Sequence, residues 1–168
     1  MSGLDALLTS PSTPCGTWLA GHMYSLTLDE SLTQTYNYLP AHQSIPAAGA
    51  TTTLPLHWSG CGIVVPTITG ANATLQLPTV SGNDGWNAEF RLSGALSTYT
   101  VTVKSYTANV YGVVTLGPSS MTSAQANGST NIIFSGTAVA GDWIRVWTDG
   151  THWFVSGQSY AAAGLSFS

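Results

Sequence analysis

Four histidines (His22, His42, His57, His152), two cysteines (Cys15, Cys61) and seven carboxylates are the side chains of this 168-residue chain able to bind metal or move protons. A zinc-type site gathers three or four His, Cys or carboxylate ligands, usually with two close together on one element. No two histidines here stand at such a spacing, and two cysteines cannot form a site alone, so no metal or other cofactor is expected. Asp142 and Asp149 flank one hairpin and have the residue type of a glycosidase acid and base. Asp149 is already explained by an Asp-Gly turn, however, and Asp142 by its place after a glycine at a strand edge. The many serines lack a Gly-x-Ser-x-Gly elbow, and neither cysteine lies in a nucleophile motif. The glycine-rich run from Ser81 to Gly85 has neither the lysine nor the following helix of a phosphate-cradling loop and reads as a turn. No catalytic residue is assigned and the chain is expected not to be an enzyme. The one enzymatic alternative is a small glycan hydrolase using Asp84, Glu89 or Asp142.

Charge narrows the partners. Only 6% of residues are charged, with three basic side chains against seven acidic ones; a typical domain carries about 25%. Three cations cannot neutralise a phosphate track, so nucleic acid is excluded as a partner. No run of about 18 apolar residues occurs, and residues 1–10 lack the basic and apolar regions of a secretion signal, so neither a membrane span nor secretion is expected. Without a secretion signal, Cys15 and Cys61 are expected as buried, reduced thiols. A surface this poor in charge favours association, which points to a subunit interface among the exposed apolar groups.

The elements that position these residues are strands. From Leu54 onward, short β-branched and aromatic runs are interrupted every eight to twelve residues by Gly, Pro, Asn or Ser, the spacing of an antiparallel β-sandwich or jelly-roll-like domain. The expected strands are 52–58, 62–67, 74–77, 87–92, 99–105, 113–116, 131–134, 142–148 and 152–157. Phe90 and Leu92 should point inward while Glu89 and Arg91 pair outside. In the 99–105 run, Tyr99, Val101 and Val103 should face the core, with Thr100, Thr102 and Lys104 on the wet side.

The most distinct element runs from Asp142 to Val155. Asp149-Gly150 suits a two-residue type I′ turn, which would set Trp147 opposite His152 and Val146 opposite Trp153. One face is then Ile144, Val146, Trp153 and Val155, a core face. The other carries Trp143, Arg145, Trp147, His152 and Phe154, too aromatic for an ordinary wet face. These five residues are the expected oligomer interface.

Residues 1–50 differ. The prolines of 10–14, the short apolar run Leu26-Thr27-Leu28 and the small-residue stretch 47–50 read as an extended N-terminal arm with short strands, followed by a sandwich domain over 51–168. Leu4, Leu7, Trp18, Tyr24, Leu26 and Leu28 are the arm residues expected to contact a capsid or another partner.

The segments Ala73-Thr74-Leu75-Gln76-Leu77-Pro78, Tyr99-Thr100-Val101-Thr102-Val103 and the long run from Gly141 to Gly157, with its Gly-Asp opening, Thr-Asp-Gly-Thr turn and following Trp, resemble a module of tailed-bacteriophage structural proteins. That module occurs in tail-fibre and head-decoration proteins, and the resemblance covers about half the chain. It implies a β-sandwich that trimerises on the outside of a virion and has no catalytic activity. A tail fibre has a repetitive shaft, which this chain lacks, so the expected function is capsid decoration. A homotrimer would bridge subunits of the major capsid protein or another virion protein through many weak contacts that add as avidity, on the outer surface of the virion after assembly in the host cytoplasm. The alternative is a tail-fibre or tail-tip receptor-binding protein, with exposed aromatics stacking on a host-surface glycan.

Overall fold

Strands whose every second side chain is apolar have one face to bury, and here they bury it against one another in two sheets. The computed structural model describes residues 41–43, 48–117 and 122–168. In chain order the strands are β1 (Ala41–Gln43), β2 (Thr51–Thr53), β3 (Cys61–Val65), β4 (Ala73–Gln76), β5 (Asn87–Leu92), β6 (Val101–Lys104), β7 (Val110–Leu116), β8 (Thr122–Ser129), β9 (Asn131–Phe134), β10 (Trp143–Thr148), β11 (Trp153–Ser159) and β12 (Leu165–Phe167). The larger sheet has the order β1-β3-β5-β10-β11-β7-β8, and the smaller one β12-β9-β6-β4-β2.

The expected β-sandwich is present, but its sheets are mixed rather than purely antiparallel. From β1 to β7 the chain changes sheet at every step, so strands that become neighbours within one sheet run the same way. Thus β1, β3 and β5 pair in parallel, as do β2, β4 and β6. The first half of the sandwich is therefore wound as stacked coils, with Thr51 beside Thr74 beside Thr102. Antiparallel pairing takes over with β10, which lies between β5 and β11.

The inner faces supply the core. Phe90, Leu92, Val101, Val103, Ile144 and Val146 are buried, as expected from their alternation, and each large apolar side chain so buried contributes roughly 1.5–3 kcal/mol. Among the described residues, Trp153 is the largest fully buried side chain. It packs edge-on against Trp86 at 5.4 Å between ring centroids, and Trp86 is anchored by its indole N–H donating to the Leu56 carbonyl at 3.1 Å.

Several boundaries move for identifiable reasons. The run 52–58 is strand only to Thr53, after which Pro55, lacking an N–H, leads into a 3-10 turn over Leu56–Trp58. Strands β8 and β12 were not expected, the first because its sequence, TSAQANGS, is polar and without β-branched residues after Thr122. The compact unit spans residues 40–168, and β1 enters the larger sheet ahead of the expected boundary at 51. The arm residues Leu4, Leu7, Trp18, Tyr24, Leu26 and Leu28 lie outside the described residues, as does Cys15. Cys61 is buried in β3.

The β10–β11 hairpin has a different register. Trp147 pairs with Phe154 and Thr148 with Trp153, leaving a four-residue loop over 149–152. Asp149 is the cause. Its Oδ1 accepts the backbone N–H groups of Thr151 at 2.8 Å and His152 at 2.7 Å, an Asx-type closure that replaces the two-residue turn. Gly150 supplies the positive φ of the loop, +85°. The slip is two residues, an even number, so every side chain of the hairpin keeps its expected face.

Candidate functional site: an aromatic row and groove on the larger sheet

The outer face of the larger sheet collects alternate residues of five adjacent strands. In one row Asn87 (β5), Trp147 (β10), Phe154 (β11), Tyr111 (β7) and Asn127 (β8) are successive cross-strand partners. The next row is Glu89, Arg145, Ser156, Val113 and Gln125. Residues between them in sequence, such as Ala88, Val146 and Val155, point into the core.

The first row is aromatic at its centre. Trp147 and Phe154 stack, with ring centroids 5.9 Å apart and planes 24° from parallel. His152 lies edge-on to Phe154 at 6.3 Å and to Tyr111 at 5.2 Å, so four rings follow one another from β10 to β7. Trp147 remains 38% exposed and Val113, in the neighbouring row, 48% exposed. Of the five residues expected at an interface, the structure puts all on this side: Trp143, His152 and Phe154 half-buried, Arg145 and Trp147 exposed. Tyr111 and Val113 complete the patch and were not anticipated. Their strand alternates Tyr111, Val113, Thr115 outward, but Gly112 interrupts the apolar pattern, and the parallel β11–β7 pairing that places them there is long-range.

A groove of about 420 Å³ runs beside Trp147, lined by Gly85, Asn87, Arg145, Trp147, Thr148 and Ser156. Its polar groups have hydrogen-bonding capacity to spare. Asn87 donates its side-chain N–H to the Gly85 carbonyl, leaving its Oδ1 available, and no side-chain bond of Ser156 or Arg145 is formed with the described residues. Glu89, the cross-strand partner of Arg145, pairs with Arg91 instead, at 2.9 Å. This is the outer pair expected from the alternation. The Arg145 guanidinium is therefore free of an ion pair among the described residues. At the turn end of the groove, the Asp149 carboxyl is held below its ordinary value, chiefly by the backbone N–H groups of His152 and Thr151.

The carboxylates considered for hydrolysis stand apart. Asp142 and Asp149 flank opposite ends of β10, about 23 Å apart at ~3.3 Å per residue, whereas a glycosidase pair is separated by about 5–9.5 Å. Asp142 is also fully buried. Its Oδ2 accepts the Ser159 hydroxyl at 2.7 Å and the Val139 N–H at 3.0 Å, and its Oδ1 accepts the Tyr160 N–H at 2.8 Å. The group ties the entry of β10 to the exit of β11. Gly164 closes over it, where an added Cβ would collide with the Ser159 hydroxyl. Among the described residues no three His, Cys, Asp or Glu side chains are placed to share a metal ion, and no helix is long and apolar enough to cross a membrane. No family model matches the chain, and no curated protein matches it.

Proposed function

We propose that this chain is a non-enzymatic structural protein on the outer surface of a bacteriophage particle, and that the aromatic row of its larger sheet is a platform for a host-surface glycan. The stacked Trp147–Phe154 pair beside an open groove carries this reading. A pyranose ring has an apolar face that packs on an aromatic ring and hydroxyls that need donors and acceptors at its edge. The rows supply both, with Asn87 and Asn127 at the two ends of the aromatic row and Ser156 and Gln125 in the row beside it. A permanent contact between copies would instead call for an apolar centre within roughly 1,000 Å² or more per partner. The groove volume falls in the ~300–1,000 Å³ range of small-ligand sites.

Capsid decoration by a homotrimer is the second reading. The low charge of the chain favours it, as does the exposure of Val113 and Trp147 on one face. In that case the same face joins copies of the chain, and the particle contact lies elsewhere. The test is direct: fluorescently labelled protein is mixed in parallel with host cells, a glycan array and undecorated phage heads. Retention on cells and array, lost on Trp147→Ala, supports glycan recognition. Retention on heads alone, with a trimer that Trp147→Glu splits, establishes decoration and removes the glycan reading.

A further inference from the structure

The geometry points to a sugar acid as the preferred occupant of the groove beside Trp147, its carboxylate held by Arg145. This inference rests on the glycan reading and adds the ligand's charge to it. The chain owns three cationic side chains, Arg91, Lys104 and Arg145. Arg91 is occupied by Glu89, and Lys104 lies on β6 in the other sheet. Arg145 alone lines the groove, and its cross-strand neighbour Glu89 is turned to Arg91 instead of neutralising it. A planar guanidinium without an ion pair presents a fork of donors that matches a carboxylate in two parallel hydrogen bonds.

The surroundings set the ligand's orientation. Asp84 and Asp149 stand at the turn end of the groove, where Asp84 packs against Gly150, and they repel an anion there. The opposite wall is Ser156, neutral and cross-strand from Arg145. A ring stacked on the indole of Trp147 thus places its carboxylate toward Arg145 and Ser156 and its neutral hydroxyls toward Asn87. A chain carrying a charge on every residue would meet the two aspartates at its next ring, so acidic residues alternating with neutral ones fit better than a uniform polyanion.

The experiment uses the full chain and measures binding by tryptophan fluorescence and calorimetry. The probes are hyaluronan, polygalacturonate and polysialic acid oligomers, each with its carboxyl-reduced counterpart, and dextran sulfate. At least one acid is expected to bind about tenfold more tightly than its reduced form, the effect of one charge-assisted contact. Arg145→Gln should abolish that ratio while still binding the reduced form, and Trp147→Ala should weaken both. Equal binding of acid and reduced forms by the unaltered protein overturns the sugar-acid inference and leaves glycan recognition standing. A preference that persists in Arg145→Gln overturns the assignment to this residue. Dextran sulfate binding as tightly as the best uronate reduces the effect to plain charge attraction and overturns it too. Failure of every glycan, neutral or acidic, removes the inference and the glycan reading together.

Discussion

Asp142→Ala is expected to be among the most damaging single substitutions in this protein, although the residue touches nothing in the proposed binding face. The carboxylate is fully buried and accepts three hydrogen bonds, from Val139, Ser159 and Tyr160. Leaving a buried donor unsatisfied costs about 1–3 kcal/mol. Val139 is half-buried and Tyr160 exposed, so water reaches those two N–H groups in part and their cost falls at the low end. Ser159 is 1% exposed and bears more of it. The expected loss is about 3–5 kcal/mol, a large share of the roughly 5–15 kcal/mol that holds a domain folded. Urea unfolding followed by tryptophan fluorescence reads it as a midpoint about 2 M lower, at an m-value of about 2 kcal/mol per molar. Asp142→Asn keeps the volume and one acceptor but points an amide donor at another donor, and should cost about 1–2 kcal/mol. In a double-mutant cycle, Asp142→Ala and Ser159→Ala should be less than additive because they remove one shared bond. A loss under about 1 kcal/mol for Asp142→Ala, or full additivity with Ser159→Ala, would refute the view that this carboxylate locks β10 to β11.

Other expectations follow from single contacts. Gly112 adopts φ +145° in β7, with the Val155 carbonyl against the position of a Cβ, so Gly112→Ala should cost about 2 kcal/mol or more and lower the urea midpoint accordingly; an unchanged midpoint would show that β7 can relax. The depressed carboxyl of Asp149 stabilises the fold above its unfolded pKa of about 3.9 and loses that contribution as pH falls through the lower folded value. Asp149→Ala should therefore flatten the stability–pH curve below about pH 4 and leave its neutral slope alone, and an identical acid limb in the variant would contradict the assignment. Trp147→Ala should remove ligand or partner binding while costing about 1–3 kcal/mol of stability, since the side chain is partly exposed but stacks on Phe154; loss of the cooperative unfolding transition would mean the ring is a core element.

Local alternation made much of the sandwich legible. Asn87–Leu92 and Asn131–Phe134 are strands over the expected residues, because Phe90, Leu92, Ile132 and Phe134 recur with period two and fill the core. Polar edge strands leave no such trace. In β8 only Ala126 is buried, so the hydrophobic period that marks a strand is nearly absent, and its place beside β7 is decided by backbone pairing. The parallel winding of β1 to β6 was equally hidden, since a strand's sequence records how often it is buried and not which partner lies beside it or in which direction that partner runs.

The same distinction separates what could and could not be read of the candidate site. Trp143, Arg145, Trp147, His152 and Phe154 belong to one hairpin, so their shared face follows from local periodicity and survived a register error of two residues. The groove depends on tertiary pairing. Asn87 reaches Trp147 through the β5–β10 ladder, and Tyr111 reaches Phe154 through β7, a strand distant in sequence that runs parallel to β11. Each contact is fixed by the same inward-facing residues that build the core: Ala88 opposite Val146, and Val155 opposite Gly112. Position 112 joins the two sides of this dependence, because a side chain there would press on the Val155 carbonyl and push β7 away from β11. Gly112→Ala should then separate Tyr111 from His152 and Phe154 as well as lower stability, so that a platform which needs all four rings loses binding even at temperatures where the variant stays folded.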